Sequence, residues 1–441
     1  MKRKTMWVAV ALMTAASLTG CSSDNVSELI TPEEPQQEEN TDSQREEPYV
    51  SDYDPWNNLK LTRSEQDMVA CSNDFAFNLF RRVYDEEKSQ ILSPISITYA
   101  LGMLNNGAAG ETRRQINEVL GFGDTGADGI NAFCQKMLNR ASLLDEQTKV
   151  LISNTIFMNR WYNLLPTFVE KAKTYYNAEP ETRDFYDGKT LDVINQWASD
   201  HTEQLIEKVL EEREFNPDAV SYLLNAIYFK SSWTEAFEPE ETREESFGNG
   251  GFFYGSCLRR PVQMMHRTGV YSYTENDLCQ AICLPYGNGS YAMTVLLPRE
   301  GKFVGDVLAS LKGQSWEQNY RYLGETVLAD VKLPRFETQT DQKLEDVMAD
   351  LGMPKAFSDS AEFPDFCDNP TYIGMMKQVA RIKLYEEGTE AAAVTVIAMD
   401  EKGGPGPDLR RVDFHADHPF IYVISERSTG SIFFIGQYMG D

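Results

Sequence analysis

From residue 61 onward the chain alternates between two apolar rhythms. Residues 61–84 carry Phe75, Phe77, Leu79, Phe80 and Val83, the apolar side of a helix. Residues 98–122 read as a helix, a break at Gly107 and Gly110, and a second helix. Residues 151–158 and 222–230 have the length and β-forming content of strands. Residues 191–210 return to helical spacing. Shorter strand-like runs occupy 262–265, 281–286, 293–298, 331–336, 418–424 and 432–436. The two patterns interleave with no repeat and no internal boundary, which predicts one α+β domain over residues 61–441.

One segment contradicts itself. Residues 379–385 alternate like a half-buried strand. Ala391, Ala392 and Ala393, flanked by Glu386, Glu387 and Glu390, favour helix by propensity. Residues 394–399 are β-formers again, and Gly403, Gly404, Pro405, Gly406 and Pro407 forbid regular structure. A strand, then small residues, then β-formers, then a Gly/Pro tip describes a loop able to become a strand.

The ends and the composition narrow the classes of function. Hydrophobic residues make up 41 % of the chain, enough for a large core. The net charge of −27 argues against a nucleic-acid partner, which needs basic clusters to displace counterions. Residues 1–20 have a basic start and a short apolar core, the pattern of a secretory signal. Leu18-Thr19-Gly20-Cys21 resembles a bacterial lipoprotein cleavage box, and Ser22-Ser23-Asp24 resembles the export tag of Bacteroidetes surface lipoproteins. The expectation is a lipidated Cys21, a membrane anchor and an outer-membrane location in the bacterial envelope. Residues 21–60, dense in Glu, Gln, Ser and Pro, read as a disordered acidic tether. The other cysteines, Cys71, Cys134, Cys257, Cys279, Cys283 and Cys367, show no metal-binding spacing. Four histidines and the lack of HExxH, Walker or GxSxG motifs give no sign of a hydrolase, metal centre or cofactor site.

The ordered motifs then converge. Ser93-Pro94-Ile95-Ser96-Ile97 precedes Gly107-Ala108-Ala109-Gly110-Glu111-Thr112, with Gln115 and Ile116 after it. Asn225, Ala226, Phe229, Lys230, Trp233 and Phe237 follow in a fixed spacing. With the segment around Gly388 and the closing strands at 418–436, these runs resemble the serpin family of serine protease inhibitors. The resemblance covers residues 61–441. It implies eight to nine helices around three β-sheets with an exposed reactive-centre loop, acting as a monomer. It also implies a suicide substrate: a protease cuts the loop, is trapped as an acyl-enzyme, and the loop inserts into the main sheet. No catalytic residue is required of such a chain.

The resemblance assigns further roles. Glu386, Gly388, Thr389, Glu390, Ala391, Ala392, Ala393 and Thr395 form the hinge, and an inserted strand would turn Thr389, Ala391, Ala393 and Thr395 to one face. No proline interrupts residues 388–402, so no ladder donor is lost. Glu386 pairs with Arg335 near Trp233, and Ser93, Ser96, Asn225 and Gln378 lie where the sheet must part. Two positions depart from the family: Ser89 replaces its usual Asn, and Gln378 its usual buried His. Lys402–Gly403 is the expected scissile bond, which suits a trypsin-like enzyme, whose acidic pocket takes lysine. Met399–Asp400 is the alternative and suits an elastase-like one; cysteine proteases are further targets. A non-inhibitory serpin and a nutrient-binding surface lipoprotein are the competing readings.

Overall fold

The computed structural model describes residues 48–49, 59–123, 125–141, 143–248, 259–389 and 409–441. Cys21, Cys257, Glu390, Ala391, Ala392, Ala393, Thr395 and both expected scissile bonds, Lys402–Gly403 and Met399–Asp400, lie outside the described residues. The compact unit that contains every described element spans Glu46–Asp441.

Nine helices occur among the described residues. They are α1 (Arg63–Val83), α2 (Pro94–Asn105), α3 (Gly110–Leu120), α4 (Ala127–Ala141) and α5 (Pro166–Tyr176). After them come α6 (Thr190–His201), α7 (Val304–Ser310), α8 (Gly313–Asn319) and α9 (Glu345–Leu351). The strands begin with β1 (Pro48–Tyr49), β2 (Leu61–Thr62), β3 (Gln90–Leu92), β4 (Lys149–Asn159), β5 (Glu181–Arg183) and β6 (Ser221–Ser232). They continue with β7 (Arg243–Gly248), β8 (Arg259–Glu275), β9 (Cys279–Tyr286), β10 (Tyr291–Pro298), β11 (Glu325–Pro334) and β12 (Phe336–Lys343). The last are β13 (Met375–Tyr385), β14 (Gly388–Thr389), β15 (Arg411–His415), β16 (Phe420–Glu426) and β17 (Ile432–Tyr438).

Local chemistry explains the main boundaries. Thr62 and Glu65 close a capping box on α1: the Thr62 N–H donates to Glu65 Oε2 at 2.7 Å, and the Glu65 N–H to Thr62 Oγ1 at 3.2 Å. Pro94 opens α2, which is buried along its whole length. Gly121 ends α3 in the left-handed conformation, φ +72°.

The helical pattern of residues 191–210 is only half realised, because α6 stops at His201. Glu203 and Gln204 take positive φ angles of 49° and 66° and turn the chain. The Asn195 carboxamide then accepts from the N–H groups of Val209 and Leu210, each at 2.9 Å, and folds the segment back along the helix. The apolar spacing persists because Ile206, Val209 and Leu210 still face a core; it is a core shared with the sheet below rather than a continued helix.

Six strands form one sheet in the order β12-β13-β14-β6-β4-β5. Nine form a second, in the order β15-β11-β8-β9-β10-β16-β17-β3 with β7 beside β8, and β1 pairs with β2. Strand β8 spans 17 residues and pairs in turn with β7, β11 and β9, so it joins two smaller sheets into one. The main core includes Ile97, Leu101 and Leu104 of α2 with Phe229, Tyr286 and Phe434. A smaller core of Phe157, Ile194, Ala198 and Tyr222 lies under α6.

Candidate functional site at the split of the six-stranded sheet

Strands β13 and β6 run parallel and pair only from Met375↔Tyr222 to Val379↔Ala226. Beyond that point the two-residue strand β14 lies between them. It is antiparallel to both, with Tyr385↔Gly388 and Leu384↔Thr389 on one side and Gly388↔Ser232 and Thr389↔Ser231 on the other. In the interval between, residues 380–383 pair with β12 and residues 227–230 with β4.

Only glycine fits at 388. Its φ is +146°, and a Cβ there would overlap the Ser231 carbonyl oxygen and lie 2.7 Å from Ser232 Cα and 2.9 Å from Trp233 N. The neighbouring backbone is tied down: the Trp233 N–H donates to Glu387 O at 2.8 Å, and the Phe237 N–H to Glu386 O at 2.9 Å. The Trp233 indole N–H donates to Tyr385 O at 3.1 Å, while its ring stacks on Tyr286 at 4.3 Å between centroids. The Tyr286 hydroxyl, fully buried, shares a 2.6 Å hydrogen bond with the Thr389 hydroxyl. Burial pushes the Tyr286 phenol well above its ordinary range, so it stays neutral. Glu386 is buried, accepts from the Thr242 hydroxyl at 2.8 Å and faces the half-exposed Arg335 guanidinium at 3.7 Å. The sequence-expected trio of Trp233, Arg335 and Glu386 is thus adjacent in space.

The closed half of the sheet carries an amide ladder. Gln378, Asn225 and Asn154 stand side by side on β13, β6 and β4. The Gln378 Oε1 accepts from the Ser93 N–H at 2.9 Å. Its Nε2 faces three acceptors: Ser93 O at 3.0 Å, Ser96 Oγ at 2.9 Å and Asn225 Oδ1 at 2.6 Å. The Ser96 hydroxyl lies 2.7 Å from Asn225 Oδ1, and Asn225 Nδ2 donates to Asn154 Oδ1 at 2.7 Å. Ser93, Ser96, Asn225 and Gln378 therefore meet in one buried network between the sheet and the start of α2. Ser93 Oγ and Asn154 Nδ2 have no hydrogen-bond partner among the described residues. Ser89 lies apart from it, donating its hydroxyl to the Asp441 carboxylate while its oxygen accepts from the Met439 N–H at 2.9 Å.

On the opposite face of β13, the fully buried Lys377 ammonium contacts Glu214 at 2.7 Å and Asp341 at 2.8 Å. Burial opposes ionisation of Glu214, but hydrogen bonds from Lys377 and the Glu211 N–H outweigh it and hold its pKa down to about 2. The chain between α6 and β6 is thereby pinned across β13. Sequence reasoning missed this pair, as it missed Thr242, Tyr286 and Asn154. Asn154 did carry a signal, a polar residue in the middle of an apolar strand; Thr242 and Tyr286 lie in runs that resemble the family's, with no role attached to them.

The motifs have counterparts elsewhere. A family model described as Serpin (serine protease inhibitor) matches residues 70–440. A serpin-like protein of Thermococcus kodakarensis is 31 % identical over 381 residues, covering 85 % of this chain and 86 % of its own. Serpin B6 of Pongo abelii is 30 % identical over 382 residues, covering 84 % and 99 %. The thermophilic serpin tengpin, solved in its native state, superposes with a TM-score of 0.74 at 26 % identity over 89 % of this chain and 96 % of its own. Human thyroxine-binding globulin, solved in complex with thyroxine, gives 0.75 at 27 % identity over 85 % and 98 %. Members of this family generally inhibit proteases and are not enzymes. By its ordered motifs, its two large sheets and these relatives, the chain belongs to the serpin family.

Proposed function

We propose that this protein inhibits serine proteases as a suicide substrate, trapping the cleaving enzyme as an acyl-enzyme while the cut loop inserts into the six-stranded sheet. The observation that carries the reading is β14, a first step of such a strand already seated between β13 and β6. Continuing its register, Glu390, Ala391, Ala392 and Ala393 come opposite residues 380–383 and 227–230 without displacing any existing strand pair. Val394 would then meet Val379↔Ala226, and Thr395 would meet Gln378↔Asn225. Small side chains suit a central strand buried on both faces, and a threonine arriving at the Ser93 and Asn154 side chains meets groups that can hydrogen-bond it.

Lys402–Gly403 is the favoured scissile bond and Met399–Asp400 the alternative. Cleavage at Met399 shortens the insertable strand by about 10 Å, which favours release of the protease over its capture. The lipid anchor at Cys21 and the acidic tether would hold the inhibitor, as a monomer, at the outer membrane, supported by the Leu18-Thr19-Gly20-Cys21 run. The test is incubation with trypsin and with elastase, followed by a denaturing gel and mass spectrometry. A covalent band with a released fragment beginning at Gly403 supports the reading. Clean cleavage by both enzymes with no covalent band overturns it and makes the chain a substrate or a non-inhibitory serpin.

A further inference from the structure

Two of the protein's four histidines converge on one carboxylate in the nine-stranded sheet. Asp330 sits on β11, between β8 and β15. Its Oδ1 lies 2.6 Å from His266 Nε2 and accepts from the Thr268 hydroxyl at 3.0 Å; its Oδ2 lies 2.9 Å from His415 Nε2. Asp413 stands directly opposite Asp330 on β15, and His415 one pleat further along the same face. One ligand atom from each of Asp330, Asp413 and His415 falls within 4.8 Å of the other two. The nearby Lys332 ammonium is neutralised by both oxygens of Glu245, at 2.8 and 2.9 Å.

We propose that Asp330, Asp413 and His415 bind a divalent transition-metal ion, zinc above all, that staples β15 to β11. The donor set is one imidazole and two carboxylates, which zinc accepts at bonds of about 2 Å, with water completing the shell. The side chains, Asp413 exposed and Asp330 and His415 half-buried, must rotate to bring the donors to that distance. His415 gives up its hydrogen bond to Asp330 and offers the same nitrogen to the ion. His266 and Thr268 keep the Asp330 carboxylate oriented from the other side, as outer partners of metal ligands do.

The consequence is mechanical. β15 has five residues, lies at the edge of the nine-stranded sheet and is the first strand after residues 390–408. An ion bridging it to β11 fixes the far anchor of that segment. Sequence reasoning missed the site because its ligands divide between two strands distant in the chain, Asp330 on β11 and the pair Asp413 and His415 on β15.

The experiment is calorimetric titration of zinc chloride into chelator-treated protein, with cobalt(II) as a spectroscopic substitute and hydrogen exchange on β15. One ion per chain is expected, with slower exchange at residues 411–415 and a raised Tm. Asp413→Asn, at an exposed position, is expected to weaken binding at least tenfold, and His266→Ala by about 10- to 100-fold as an orienting partner. Circular dichroism verifies that each variant is folded. No binding at micromolar zinc overturns the proposal, as does binding of unchanged affinity in the Asp413→Asn/His415→Ala double variant.

Discussion

Replacing Gln378 by methionine tests the network that closes the six-stranded sheet. Methionine keeps the length and nearly the volume of the side chain, so packing is little disturbed. It removes every hydrogen bond of the carboxamide. Asn225 Oδ1 keeps the Ser96 hydroxyl at 2.7 Å, and Ser96 keeps both Asn225 and Ser93 O within reach. The Ser93 N–H is the group left stranded, since Gln378 Oε1 is its acceptor at 2.9 Å. A buried orphan donor costs about 1–3 kcal/mol, which lowers Tm by about 1–4 °C in a protein of this size. Gln378→Glu is the control of opposite logic. It preserves the acceptor for Ser93 but turns an oxygen toward Ser93 O, Ser96 Oγ and Asn225 Oδ1 in place of a donor. Equilibrium urea unfolding and scanning fluorimetry measure both variants. The expected order of stability at neutral pH is wild type, then Gln378→Met, then Gln378→Glu. The reasoning fails if Gln378→Met stays within about 0.5 kcal/mol of wild type, the range of ordinary surface substitutions, or if Gln378→Glu is the more stable of the two.

Gly388→Ala forces a Cβ into the backbone of residues 231–233; a loss of about 1–3 kcal/mol is expected, together with faster proteolysis after Tyr385, and unchanged proteolysis argues against a seated β14. Arg335→Met removes an ion pair whose guanidinium is half exposed, so about 0–1 kcal/mol is expected by thermal melting; Glu386→Ala, which also strands the Thr242 hydroxyl, should cost more. Glu214, whose carboxyl is held from an ordinary 4.5 down to about 2, contributes stability that is full above pH 4.5 and lost as pH falls toward 2. Lys377→Met removes the largest hydrogen bond behind that depression, so its Tm should fall less steeply than the wild type's across this window; parallel curves would exclude Lys377 as the cause.

Much of this fold could be read in advance because its apolar periods are strong and its motifs keep their spacing. The strands at 149–159 and 221–232 and the α2–α3 break all fall where the pattern puts them. The helix over 191–210 misled because periodicity records which residues are buried, not what backbone carries them; Asn195 and the positive φ angles at Glu203 and Gln204 decide that. The site was legible in proportion to its locality in sequence. Glu386, Gly388 and Thr389 lie on one run and were visible as such. Tyr286, Thr242 and the Lys377–Glu214 pair reach the same sheet from distant elements, and nothing in their own neighbourhoods marks a role for them.

The register of β14 separates two barriers to its growth. Extension through Ala393 adds ladder hydrogen bonds at positions that β13 and β6 do not share with each other. Under the proposed mechanism the connection opposes that extension while the loop is uncut. Residues 390–408 join Thr389 to β15 in the other sheet, and each residue added to β14 takes about 3.3 Å of chain away from that connection. An intact loop has a fixed length to give, while a cut one has no such limit. The second barrier begins at Val394, where parallel β13–β6 pairs must open and the Gln378–Asn225–Ser96–Ser93 network with them. In that mechanism, cleavage lifts the first barrier only. The second is a matter of hydrogen bonds that an inserting strand can replace in the ladder but not at Gln378, where the exchange falls to the side chain of Thr395. Under the proposed mechanism the uncut chain meets both barriers and the cut one only the second, which the Thr395 hydroxyl lowers by offering the opened Gln378–Asn225 network a new partner.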